Sequence, residues 1–340
     1  MRVLFISSVS ADYLADSLFH GLRCLLGALV VDYPKSEILY ENYVSEHQQQ
    51  TTQEKYPLYG LGFTLYGLLE DIPIARSEIF QKVMDGYFDI IVFSNIFLHF
   101  GFFVELLPYL SFKNTVIIDG ADTPQPYPYA GKWWRYPRWW FLPKAHTRFL
   151  YFKREWTPET LSNLWFQIPP KWLCRYLPTP KNFQPISFSI PEEKIVQEIP
   201  DKTKLFPKHI VDEEVASKLP GSFTSYAFNR EDEYYSDLQA SKFGITTKRA
   251  GWDCLRHYEL AANGCVPCFR DLDKKPVTCA PHGLNESNCI IYHNYDDLMN
   301  RISSLSEEKY KELQLAALAW ARENTTVKRA RQVLQTLNYD

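Results

Sequence analysis

Short apolar runs of strand length alternate with amphipathic segments along the first half of the chain. The runs cover residues 2–7, 28–33, 89–94, 115–119 and 148–153. Between the first two runs, leucines recur at helical spacing from Leu14 to Leu26 until Gly27 ends the segment, and a second helix is predicted over 102–110. Continuous apolar runs are typical of strands buried on both faces, so the pattern predicts a parallel sheet covered by helices.

The second half repeats this alternation. Strands are predicted at 223–228, 243–246, 265–269 and 289–292. Helices are predicted over 232–241, from near 253 to the Asn263-Gly264 stop signal, through the apolar positions from Tyr310 to Trp320, and over 326–337. A strand, a helix and a strand in succession form a βαβ unit with a right-handed crossover. We therefore predict an α/β fold with two Rossmann-like domains.

Composition narrows the classes of protein to consider. The chain has 340 residues, 46% of them hydrophobic and 16% aromatic, enough for two domains with their own cores. The formal net charge of −3 argues against a nucleic-acid partner, which usually requires a basic excess. The motifs G-x-G-x-x-G and G-K-[ST] are missing, so a dehydrogenase and a P-loop NTPase are disfavoured. No run of eighteen apolar residues predicts a membrane span.

Cysteines and acidic pairs give little support for a metal. The seven cysteines are scattered apart from Cys265 and Cys268, and no second pair completes a zinc knuckle. The amino-terminal residues turn polar too early for a secretory signal, so reduced thiols and a cytoplasmic location are expected. Asp271 and Asp273 have the spacing of a metal-binding acidic pair, but they follow a late strand of this chain. Such a pair belongs to a single-domain fold whose nucleotide-binding half comes first. We predict no obligatory divalent metal.

The βαβ unit at 242–272 carries the most informative charged residues. Lys248 and Arg249 follow its first strand, and Asp253, Arg256 and Glu259 are spaced three apart. The ligand crevice of a parallel sheet lies at the carboxyl ends of its strands, where a helix N-terminus beside cations binds diphosphates. The guanidinium fork suits phosphate, and the glutamate can accept two hydrogen bonds from a ribose diol. The alternative is a solvent-exposed ladder of i,i+3 ion pairs.

The same unit resembles the signature of the exostosin-type glycosyltransferases and, more loosely, the nucleotide-sugar half of GT-B glycosyltransferases. The matching positions are Arg249, Asp253, Arg256, Glu259, Gly264 and Val266-Pro267. The resemblance implies that Glu259 holds the ribose of a nucleotide sugar while Arg249 and Arg256 neutralise its diphosphate. The chain departs from the pattern at Ala250. Gly251 stands where retaining GT-B enzymes carry a glutamate, which favours inversion.

This resemblance also implies a GT-B architecture, in which two Rossmann-like domains face a central cleft. We expect an acceptor-binding domain at 1–185 and a nucleotide-sugar domain at 186–322, with the boundary in a proline-rich stretch. The C-terminal helix at 323–340 is expected to pack back on the first domain.

A general base for the acceptor hydroxyl is sought among acids that follow strands of the first domain. Asp119 ends one predicted strand and Asp122 lies in the turn after it, so both are candidates. An Asp-Gly-Ala-Asp turn stabilised by Asx capping is the alternative.

Aromatic residues crowd the segment 124–143. Indole faces stack on sugar rings, so Trp133 and Trp134 are candidates for binding the acceptor. A peripheral membrane contact through this segment, helped by its basic residues, and packing into the core are the alternatives.

These observations predict a glycosyltransferase, a hexosyl- or pentosyltransferase of polysaccharide biosynthesis. Its donor would be a UDP- or GDP-sugar, with no obligatory cofactor, and its acceptor a glycan or lipid-linked glycan. A nucleotide-sugar epimerase or hydrolase on the same fold, and a non-catalytic carbohydrate-binding or assembly protein, are the alternatives.

Overall fold

In the computed structural model, a six-stranded, wholly parallel sheet organises the first half of the chain, a name used here for residues up to 185. The structure describes residues 1–8, 11–43, 63–96, 98–124, 126, 148–157, 181–225 and 228–338. The sheet order is β2-β1-β3-β4-β5-β6. Its strands are β1 (Val3–Ile6), β2 (Val30–Tyr33), β3 (Ile90–Phe93), β4 (Thr115–Asp119), β5 (Leu150–Lys153) and β6 (Phe183–Pro185).

Helices cover both faces of this sheet. They are α1 (Tyr13–Leu26), α2 (Ile79–Met84) and α3 (Phe100–Leu106), with 3-10 turns at Gly27–Leu29, Glu37–Leu39 and Leu107–Tyr109. Helix α1 begins where Asp12 Oδ1 accepts the N–H groups of Leu14 and Ala15, and it ends at Gly27, whose φ of 56° suits glycine. β1, β3 and β4 are buried throughout, as their apolar runs predict.

The second half, from residue 186, contains the parallel sheet β7-β8-β9. Its elements are β7 (Phe243–Thr247), β8 (Val266–Arg270), β9 (Ile290–Tyr292), α4 (Glu213–Lys218), α5 (Glu231–Gln239), α6 (Leu255–Ala262), α7 (Tyr295–Ser303), α8 (Glu307–Glu323) and α9 (Thr326–Thr336), with 3-10 turns at Glu192–Lys194 and Leu272–Lys274. The strand predicted at 223–228 is wrong over its described residues, 223–225 and 228, of which Phe223 forms only an isolated bridge to His209. None of the described helices is long and apolar enough to cross a bilayer.

Helix α9 packs along α1 of the first half at very short range. A Cβ added at Gly21 would lie 2.0 Å from the carbonyl oxygen of Thr326, so only glycine permits this approach. On the same face, His20 Nδ1 lies 3.0 Å from Thr326 Oγ1. The chain therefore passes between the halves twice, once near Ile190 and once near Thr326. The two segments lie side by side, because the Ile190 N–H donates to the Asn324 carbonyl and the Thr326 N–H donates to the Ile190 carbonyl.

Candidate active site

A cleft of about 800 Å³ lies between the two halves, at the carboxyl ends of both sheets. Its first-half wall includes Asp12, Asn95, Gly120, Asp122 and Arg154. Its second-half wall includes His209, Arg249, Cys254, Arg256 and Glu259. This is the crevice in which ligands of parallel α/β sheets bind.

The N-terminus of α6 opens on this cleft. Its N-cap residue, Cys254, makes no side-chain hydrogen bond to the first helical N–H groups, although most N-cap positions hold an oxygen that does so. Arg249 is exposed and lines the cleft next to this terminus. Helix N–H groups and a guanidinium together favour an anion, so this corner suits a phosphate.

Arg256 reaches the same corner from inside the helix. Its side chain is buried, and Nη2 donates to Nδ1 of His209 over 2.9 Å. Burial, and then the charge of Arg256, lower the pKa of His209 to about 3. His209 is therefore neutral near neutral pH and acts as an acceptor that orients the guanidinium. The sequence offered no signal for His209, which lies outside any helix or strand.

Glu259 lies one turn deeper, with 3% of its surface exposed. Its Oε2 accepts a hydrogen bond from the Tyr234 hydroxyl at 2.6 Å. Its Oε1 accepts one from Thr64 Oγ1, also at 2.6 Å, and Thr64 belongs to the first half. The carboxylate predicted to hold a diol thus already accepts two hydroxyl groups.

Asp253 and Lys248 are placed differently from Arg256 and Glu259. Asp253 lines the cleft but precedes α6, and its two oxygens accept the N–H of Phe188 at 2.8 Å and the hydroxyl of Tyr258 at 3.0 Å. This carboxylate ties the crossing segment to the helix. Lys248 is exposed, its Nζ lies 5.7 Å from the centroid of the Trp252 ring, and it is not one of the residues that line the cleft.

The two acids predicted as the base occupy contrasting positions. Asp119 is fully buried, where its carboxylate accepts from Lys153 Nζ at 2.9 Å, the N–H of Ala121 at 3.0 Å and the hydroxyl of Tyr151. It does not line the cleft. Asp122 does, with 46% of its side chain exposed and an ion pair to Arg154.

A third acid, Asp12, was not identified from the sequence as a site residue. It lines the cleft at the start of α1, and burial raises its pKa. Its own N–H donates to Asp16 Oδ2 at 3.0 Å, and burial, followed by the charge of Asp12, raises the pKa of Asp16 well above its usual range. The available signal was an aspartate immediately before an amphipathic run, which marks an N-cap.

Arg154 and Glu155 join the two halves by hydrogen bonds at the cleft. Arg154 Nη1 donates to the carbonyl of Asp253 at 2.8 Å, while Glu155 Oε1 accepts the N–H groups of Trp252 at 2.7 Å and Asp253 at 3.0 Å. A Cβ at Gly251 would lie 2.6 Å from Glu155 Oε1. Glycine is therefore needed for the turn before α6 to come this close to the first half.

Two further predictions concern other parts of the chain. Trp133 and Trp134 lie outside the described residues. Asp271, Asp273 and His293 place three ligand-type atoms within 4.8 Å of one another, but Asp271 already pairs with His293 and Lys274, and none of the three lines the cleft.

The two parallel α/β halves, the cleft between their strand ends and the last helix returning to α1 make up the GT-B fold, which confirms the predicted fold class. Solved structures match this architecture. HepE from Anabaena, crystallised with UDP-glucose, aligns over 99% of this chain and 99% of its own, with a TM-score of 0.52 and 10% identity. A glycosyltransferase from Rickettsia africae ESF-5 aligns over 99% and 97%, with a TM-score of 0.51 and 9% identity.

At 9–10% sequence identity, these likenesses show the fold alone. No protein-family model matches the chain, and no curated protein matches it in sequence. A fold does not determine the reaction, which depends on the side chains of the cleft.

Proposed function

We propose that this protein is a glycosyltransferase that moves a sugar from a nucleotide-sugar donor to a hydroxyl acceptor. The observation that carries the proposal is the division of the cleft into two chemically different walls. The second-half wall presents Arg249, Arg256 and the start of α6 beside the buried carboxylate of Glu259. The first-half wall presents the carboxylates of Asp12 and Asp122. The glycosyltransferase neighbours, one of them complexed with UDP-glucose, support this proposal.

The donor would bind on the second-half wall. Its diphosphate would meet the α6 N–H groups and the two guanidinium groups, and its ribose would be held by Glu259. As the anomeric carbon–oxygen bond breaks, negative charge grows on the departing diphosphate, where fixed cations and helix N–H groups stabilise it. Because protein cations can supply this charge, we propose that transfer needs no divalent metal.

The acceptor would bind on the first-half wall, where a base must take its hydroxyl proton. Asp12 is the stronger candidate because burial raises the pKa of its carboxyl, which makes it a better proton acceptor. Asp122 lines the same wall, but 46% of its side chain is exposed and its carboxylate is held in an ion pair with Arg154. Trp133 and Trp134 remain the proposed acceptor contacts. With a base opposite the leaving group, displacement would invert the sugar carbon, in keeping with Gly251 at the position where retaining GT-B enzymes carry a glutamate.

The test is a thermal-shift screen of nucleotide sugars, followed by product analysis with glycan acceptors and with EDTA present. We expect one nucleoside diphosphate class to raise the melting temperature and a glycosylated acceptor to form in EDTA. A chain that binds sugars but no nucleotide would contradict the proposal, and free sugar or an epimer as the only product would identify a different reaction.

A further inference from the structure

The contact between Thr64 and Glu259 joins two residues 195 positions apart, one from each half. Together, Thr64 Oγ1 and the Tyr234 hydroxyl give each oxygen of Glu259 one hydrogen bond of 2.6 Å. A vicinal diol bound by a single carboxylate makes the same pair of hydrogen bonds. The side chains around Glu259 therefore supply two hydroxyl groups in an arrangement that a ribose would also supply.

The second half holds Thr64 in this place through several contacts. Its N–H donates to Glu231 Oε1 at 3.3 Å, and its hydroxyl lies 2.7 Å from that of Tyr235. Its φ of 81° lies in the left-handed region, which a β-branched residue rarely adopts. The neighbouring Phe63 stacks on Tyr234 with 6.0 Å between ring centroids, and it lines the cleft. A first-half residue is thus held in a strained conformation against the carboxylate of Glu259.

We propose that Thr64 is a residue of the nucleotide subsite, whose hydroxyl occupies the place of one ribose hydroxyl and is exchanged for it when the donor binds. The inference rests on the proposed function, because it requires that Glu259 receives a ribose. With only 3% of Glu259 exposed, its carboxylate has little free surface for a third hydroxyl. Exchange conserves the hydrogen bonds to Glu259, but it lowers the net gain on binding, so Thr64 reduces affinity for ribonucleotides.

The experiment compares Thr64→Val with wild type by calorimetric titration of UDP, GDP and ADP, and of their 2′-deoxy and 3′-deoxy counterparts. Valine keeps the shape and β-branching of threonine and removes the hydroxyl. Thr64→Ser, which keeps the hydroxyl, is the matched control, and Thr64→Ala is a second hydroxyl-free variant should valine pack badly. Melting curves establish that each variant is folded.

We expect Thr64→Val to bind the preferred ribonucleotide about tenfold more tightly than wild type, because Glu259 loses a competing hydrogen bond. The serine variant should match wild type, and the gain should shrink for whichever deoxy probe lacks the hydroxyl that Thr64 replaces. Hydroxyl-free variants that bind the ribonucleotide no more tightly, or that gain equally for the ribonucleotide and both of its deoxy probes, would overturn the exchange and leave the proposed function standing. If wild type and all variants bind no nucleoside diphosphate, the proposed function itself fails, and the exchange with it.

Discussion

The two halves present the same motif to the cleft, a parallel strand followed by a turn and a helix. The two helices differ in how their N-termini are capped. In the first half, Asp12 caps α1 with its own carboxylate. In the second half, Cys254 leaves the start of α6 without a side-chain cap, next to Arg249. A helix start filled by a carboxylate repels an anion, whereas an uncapped one attracts it. In the proposed function, the same motif therefore serves proton transfer on one wall and phosphate binding on the other.

The largest expected effect follows from replacing Asp12 by asparagine, which removes the acid but keeps the side-chain cap of α1. Asparagine retains an oxygen for the α1 N–H groups, so Asp12→Asn should fold normally. A general base contributes about 10²- to 10⁴-fold, so we expect kcat to fall at least about 100-fold with little change in the donor KM. The acidic limb of the kcat/KM profile of wild type should lie above the pKa of an ordinary aspartate, since burial raises the pKa of Asp12.

Asp122→Asn is the matched comparison for that experiment. We expect a smaller loss, because Asp122 is half-exposed and paired with Arg154. The opposite order of the two variants would assign the proton transfer to Asp122.

Arg256→Ala tests the second half. A charge-assisted hydrogen bond contributes about 1.5–3 kcal/mol, so kcat/KM should fall at least about tenfold and nucleoside diphosphates should bind more weakly. Arg256→Lys retains the charge but not the planar fork, and it should recover part of the loss. Full activity in a folded Arg256→Ala variant would remove this residue from the phosphate site.

Gly251→Ala tests whether the hydrogen bonds of Arg154 and Glu155 to the second half fix the position of the two walls. The new Cβ would meet Glu155 at 2.6 Å and Asp122 Oδ1 at 2.7 Å, so something must shift. We expect a loss of about 1–3 kcal/mol in the free energy of unfolding, measured by denaturant titration. Gly101→Ala in α3 is the control, because its Cβ would meet nothing within 4 Å. Equal stability of both variants would show that the side chains around Gly251 shift to accommodate the added Cβ without cost.

The smallest expected effect is a change in acid sensitivity. Burial lowers the pKa of His209 to about 3, whereas an unfolded histidine titrates near about 6.5. Between these values the unfolded state binds more protons, so stability should fall as pH falls below about 6.5. Glutamine also accepts a hydrogen bond but does not titrate in this range. His209→Gln should therefore flatten the slope of unfolding free energy against pH, and an unchanged slope would show that other groups dominate it.

Much of the fold could be predicted from the sequence because its signals are local. Apolar runs identified β1, β3, β4 and β7, and helical spacing with a terminal Asn-Gly identified α6. The placement of Arg256 and Glu259 on the cleft also follows from local rules, since a helix after a strand of a parallel sheet begins at the carboxyl edge. The strand predicted at 223–228 was wrong over its described residues because local composition alone does not provide a partner strand.

Only the tertiary structure decided which acid faces the cleft and what Glu259 touches. Asp119 and Lys153 end neighbouring strands in register, so the lysine holds the carboxylate inside the first half, and Asp12 lines the cleft with Asp122. Thr64 meets Glu259 across 195 positions of chain. Spacing and capping rules act over a few residues, so the sequence by itself determined the elements and the residue types at their ends. Which ends become neighbours depends on how strands pair and how the halves pack, and local patterns do not record that.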